Sequence, residues 1–203
     1  MSAAVRAQAN SVDPAAGMPG WLPALRPALL VIIGLTVAFT AALHEQLGFD
    51  RAVLAVGLIA IGVLHLIEWF GARAQQSDPI PLLLGVVAIL TGVLQALLST
   101  ELGFAVLIAA WALISGLLEF LAATFNGAGR GDHVFLGALG IVLALAVLLV
   151  LLDPVAVIGF FGAYAVIAGV YSGISFFDER SKRKRESEAS DAAADEAATP
   201  STN

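Results

Sequence analysis

A run of 24 residues, Leu102–Phe125, carries a single charge, that of Glu119. A helix of that length rises about 36 Å, enough to cross a hydrocarbon layer of roughly 30 Å. No other feature restricts the fold as strongly. In lipid every backbone N–H and C=O needs an internal partner, and helices are the open-ended way to supply one. Five further apolar runs accompany it: Pro27–Leu43, Ala52–Ala72, Ile80–Leu98, His133–Leu152 and Val155–Phe177. The expected fold is an all-α bundle of six transmembrane helices. Composition points the same way. With 59% hydrophobic and 13% charged residues, a water-soluble chain of 203 residues could not bury its apolar surface. The chain has no cysteine, which excludes disulfides and thiolate metal sites.

Three segments are expected. Residues 1–24 are polar and small, without the basic-then-apolar order of a signal peptide, and read as a disordered cytoplasmic N-terminus. Residues 25–178 form the six-helix domain. Residues 179–203 read as a disordered cytoplasmic tail, basic and then acidic. Its cations Arg180, Lys182, Arg183, Lys184 and Arg185 are candidates for contact with anionic lipid headgroups. The plainer reading is a topological stop. With both termini cytoplasmic, nine of the ten basic residues lie inside and Arg51 lies outside. Ala, Val, Leu and Gly dominate and eight of the ten basic residues are Arg, which suits a GC-rich bacterium, so the expected location is a bacterial plasma membrane. The outer turns then carry Glu45, Asp50, Glu101 and Asp153.

An internal repeat organises the helices. Leu47-Gly48-Phe49 recurs as Leu102-Gly103-Phe104. Aligning Gly62, Gly116 and Gly169, spaced 54 and 53 residues apart, puts His65, Glu119 and Ser172 in register. The unit is a helical hairpin used three times. An even number of crossings per unit keeps all three repeats in the same orientation, related by an axis along the membrane normal.

Trp111–Thr124, Gly131-Asp132, Gly137–Gly140, Asp153-Pro154 and Gly162–Gly169 make residues 25–180 resemble the HdeD-type acid-resistance membrane proteins. The resemblance implies an inner-membrane location and a link to acid or envelope stress. It implies no defined molecular activity and carries over no site residue.

Residues with chemistry at membrane depth are few. His65, Glu68, Glu119 and Ser172 form a candidate polar layer, with His65 and Glu68 three residues apart on one helix face. Such a layer could pass protons or ions. The competing reading is hydrogen-bonded glue between helices. Glu119 at this depth is expected to be neutral unless His65 or another cation reaches it. One reversed His-x-x-Glu pair is too little for a di-iron site, so no metal is expected. No nucleotide fingerprint or nucleophile elbow appears, so neither a cofactor nor an enzymatic activity is expected. The expected partners are membrane lipids. Gly169-x-x-x-Gly173 allows close helix contact, read first as packing within the bundle and second as an interface with another copy of the chain; no nucleic acid is expected, and the residues name no small-molecule substrate. Three functions follow: a stress-associated membrane protein without enzymatic activity, a small transporter or proton/ion conductor using His65 and Glu119, or a scaffold recruiting partners through the charged tail.

Overall fold

The computed structural model describes residues 21–40, 44, 47–72, 78–98, 100–125 and 129–198. They form six helices: α1 (Leu22–Phe39), α2 (Leu47–Ala72), α3 (Ile80–Leu97), α4 (Glu101–Phe125), α5 (Arg130–Leu149) and α6 (Pro154–Ala198). All six are long and apolar enough to cross a membrane. The protein is therefore a multi-pass membrane protein with an all-α fold. Large apolar side chains stay exposed on every helix, among them Ile32, Val56, Leu90, Val106, Val142 and Ile167, because lipid is the solvent for that surface. Short polar residues start several helices. Asp78 Oδ1 accepts from Ile80 N at 2.9 Å, Thr100 Oγ1 from Gly103 N at 3.1 Å, and Asp153 Oδ1 from Ala156 N at 3.0 Å. Each satisfies an orphan N–H of the first turn.

The helices associate as three antiparallel pairs, α2 with α3, α4 with α5, and α6 with α1. The third pair joins the two ends of the chain. Neighbouring pairs touch through α3 and α4, α5 and α6, and α1 and α2, which closes a ring. Glycines reveal the common register. A Cβ at Gly62 would lie 2.7 Å from Gly85 O and 3.0 Å from Ile89 N. At Gly116 it would lie 2.8 Å from Gly137 O and 3.2 Å from Ile141 N, and at Gly169 2.8 Å from both Pro27 O and Val31 N. The three crossings are thus one crossing repeated, close enough to exclude any side chain. A second crossing agrees: Gly92 faces Ala55 and Ile59, and Gly34 faces Gly162 and Val166 at the matching positions.

This register assigns equivalent layers to the interior. Leu54, Ile108 and Phe161 are fully buried together, as are Leu58, Ala112 and Ala165 one turn further along. Ile61, Ser115 and Ala168 form the next layer, followed by His65, Glu119 and Ser172. The alignment read from the sequence is therefore the packing of the molecule.

Two differences from expectation concern the start of α2 and the end of α6. α2 begins at Leu47, so Asp50 is not a rim residue of a turn; it lies in the first helical turn and is 0% exposed. A carboxylate there is favoured by the unpaired N–H groups of the helix start. At the other extreme, residues 179–198, expected to be disordered, continue α6 as helix. Ala, Glu, Lys and Arg are strong helix formers, and a helix already nucleated in the bundle needs no new nucleus to continue. Lys182 pairs with Asp178 at 2.7 Å, Arg183 with Glu179 at 3.8 Å and Lys184 with Glu188 at 3.7 Å, all four residues apart. The expected disorder of residues 1–20 and 199–203 lies outside the described residues.

Candidate functional site

Where α2, α4 and α6 reach the end of the apolar zone, the bundle opens into a cavity of about 500 Å³. Its ionisable lining includes Arg26 from α1, His65 and Glu68 from α2, Glu119 from α4 and His133 from α5. Glu179 and Arg183, from the extension of α6, line it as well.

Glu119 is 6% exposed and is held from two sides. Arg26 Nη2 donates to Oε1 at 3.2 Å, and His133 Nδ1 donates to Oε2 at 2.7 Å. The cation within hydrogen-bond reach of Glu119 is thus Arg26 rather than His65. His65 is 5% exposed, and its Nδ1 has no hydrogen-bond partner. Glu68 Oε2 stands 3.9 Å away, too far for a hydrogen bond. Ser172 Oγ likewise finds no partner. The four residues of the candidate layer thus occupy one end of the bundle without bonding one another. His65 and Glu119 share the cavity wall, and the hydrogen bonds of Glu119 go to residues the sequence did not single out.

Arg26 and His133 were legible only as topology. Arg26 counts as a positive-inside charge and His133 as the start of a helix. In the repeat register Arg26 stands where α3 has Leu84 and α5 has Leu136, both of which line the same space. A charge replacing leucine at a repeat position is the signal that could have found it. Its use depends on knowing that α1 completes the third pair. Beside the cluster, Tyr171 O–H donates to Asp132 Oδ1 at 2.8 Å, which ties α6 to the Gly131-Asp132 start of α5.

A narrow niche of about 30 Å³ extends inward from the cavity floor. Arg26, His65, Trp111, Ser115, Glu119 and Tyr164 contribute to its wall. Trp111 closes it in edge contact with Tyr164, ring centres 5.8 Å apart, and against Phe161 at the same distance. Past Trp111 lie the apolar layers of Leu58 and Leu54.

The opposite end holds a second buried pair. His44 Nε2 donates to Val37 O at 2.7 Å, and Nδ1 meets Asp50 Oδ1. Burial opposes a charge on His44, but the Val37 carbonyl and the Asp50 carboxylate outweigh it and raise its proton affinity above that of a free imidazole. Gln95, also 0% exposed, donates Nε2–H to Phe104 O at 2.9 Å. Asp50 has Phe104 and Val157 as its repeat equivalents, both fully buried. Among the described residues no group of three or more metal-ligating side chains is suitably placed for a metal ion.

The matched pairs correspond to a known sequence unit. Residues 52–97 and 96–152 match the family described as a short repeat of unknown function, DUF308. The chain carries a short-repeat membrane domain. The first DUF308 match covers most of α2 and all of α3, and the second covers α4, α5 and the turn after them. Each DUF308 unit is thus one antiparallel helix pair with a glycine crossing. The α6–α1 pair reproduces that crossing with the two ends of the chain, outside both matched stretches. Neither the curated proteins nor the solved structures contain a match to the chain.

Proposed function

We propose that this is an HdeD-like multi-pass protein of the bacterial inner membrane, associated with acid or envelope stress. It acts without enzymatic chemistry, from a cavity open to the cytoplasm. The observation that carries this reading is a polar cavity at one end of the bundle with apolar layers behind it. Arg26, Glu119, His133, His65 and Glu68 gather at one end, and the layers of Leu58, Ala112 and Ala165 and of Leu54, Ile108 and Phe161 close the bundle beyond them. Orientation is supported by charge. Arg26, Arg130 and the cations of the α6 extension lie at the cavity end, and Arg51 lies at the other. Cysteines replacing Glu101 and Asp153 should react with an impermeant thiol reagent from outside the cell, and one replacing Ser187 should not.

The conductor reading draws on a second observation, a buried carboxylate–histidine pair at each end of the bundle. A proton path between them would have to cross both apolar layers. Pure protein in liposomes, given an imposed pH gradient, distinguishes the two. No protein-dependent proton flux is expected. A flux that disappears in Glu119→Gln would replace this reading with the conductor. The stress assignment has its own test: deleting the gene should lower survival in acid or under envelope damage, and unchanged survival in both removes it.

A further inference from the structure

We infer that the niche on the cavity floor binds the carboxylate of a small zwitterion, such as a short amino acid, whose ammonium group faces Glu68. The inference deepens the reading of the cavity as a working site open to solution, and rests on it. The floor is built of groups that give hydrogen bonds and lack acceptors. Arg26 Nε, Trp111 Nε1 and Ser115 Oγ are all buried and unpartnered. All three residues line the niche. Arginine and indole nitrogens can only donate. The obvious acceptor nearby, the Glu119 carboxylate, bonds Arg26 Nη2 and His133 and reaches none of these three atoms. Unmatched buried donors each cost free energy, about 1–3 kcal/mol, so a ligand that satisfies several at once is bound with that gain.

Water is the alternative occupant, since about 30 Å³ is one molecule's share of the liquid. A water offers two lone pairs to the donors converging here. A carboxylate offers about four lone-pair sites and a charge, and charge-assisted bonds are the stronger ones. The cavity above the niche decides the rest of the ligand. A simple anion would meet a surplus of negative charge there. Glu119 is paired with Arg26 and Glu179 with Arg183, but Glu68 has no hydrogen-bonded cation. Glu68 lies one turn from His65, which lines both spaces. A ligand with a carboxylate at one end and an ammonium at the other matches both charges. A volume of about 500 Å³ leaves room for its side chain.

The test is isothermal titration of the full-length protein in detergent with glycine, β-alanine and γ-aminobutyrate. Propionate and propylamine serve as carboxylate-only and amine-only controls. At least one zwitterion should saturate with an affinity about tenfold or more above both controls. Ser115→Ala should weaken it about tenfold, the loss of one hydrogen bond to a charged group. The repeat has Ala168 at the equivalent position, so this variant is compatible with the packing, and its elution volume on gel filtration verifies the fold. Glu68→Gln should weaken the zwitterion and leave propionate unchanged. In a Trp21→Phe, Trp69→Phe background Trp111 is the remaining indole, and its emission should shift on binding. The inference is overturned if no zwitterion saturates, if propionate binds as well as the best of them, or if both single variants keep full affinity. Proton flux is measured without ligand, so failure of that experiment is separable from failure of this one.

Discussion

Each end of the bundle buries a carboxylate against a histidine, yet the two surroundings are opposite in kind. At the cavity end Glu119 belongs to a layer that is polar in all three repeats, with His65 and Ser172 as its equivalents, and a guanidinium and a second histidine complete it. At the closed end Asp50 is a lone substitution in a layer otherwise made of Phe104 and Val157. There His44, from outside the helices, reaches in to meet it. The first arrangement leaves donors unsatisfied around an open space. The second ties the α1–α2 connection to the helices on either side through Val37 and Asp50. A buried ionisable group in a membrane bundle is therefore not by itself a sign of a working site; what distinguishes Glu119 is the access around it.

The comparison breaks most visibly at the ion pair. Glu119→Gln takes from the partly buried Arg26 its hydrogen-bonded counter-charge, and should destabilise the protein by about 3 kcal/mol. Thermal unfolding in detergent and membrane abundance would both register it. Combining it with Arg26→Leu, which copies Leu84 and Leu136, should restore most of the loss, because replacing a buried pair with apolar contact is often neutral. A stable single variant at full abundance would show that the pair does no structural work, and would sharpen the case for a purely functional one.

Next come the crossings. Gly62→Ala, Gly116→Ala and Gly169→Ala each drive a methyl to within 2.6–2.8 Å of atoms on the partner helix. Each should cost about 2 kcal/mol, the scale of an overpacked core. Gly159→Ala meets nothing within 4 Å and should be neutral or gain up to about 1 kcal/mol in helix propensity. Unequal losses at the three crossings would deny that the pairs are equivalent. At the closed end Asp50→Asn should cost about 1.5 kcal/mol, the loss of a hydrogen bond to a charged partner. The sign of the pH dependence follows from His44. Its proton affinity is higher folded than unfolded, so its contribution is complete below the unfolded value near 6.5 and fades as pH rises through the folded one. Unfolding temperatures of wild type measured across that range should fall toward alkaline pH, and Asp50→Asn should flatten the slope. The smallest effect belongs to the tail: Lys182→Ala removes an exposed pair and should leave stability unchanged.

Much of the architecture could be read from residue order. Long apolar runs admit only helices in lipid, and Gly62, Gly116 and Gly169 mark the places where helices must touch. The continuation of α6 past residue 178 was missed because charge blocks read as disorder, although the same residues favour a helix once one has begun. Asp50 was misplaced because a carboxylate beside Arg51 looks like a turn.

The helices, their number, the repeat register and the layer of His65, Glu119 and Ser172 were determined by the sequence, since each depends on local periodicity and on the solvent around the chain. The closing of the ring by α6 and α1, and with it the arrival of Arg26 at Glu119 across 93 residues of chain, was decided by the tertiary structure. No local pattern encodes which helix will stand beside which. In lipid that choice belongs to close packing and to buried charges finding partners, and both exist only once the helices have assembled.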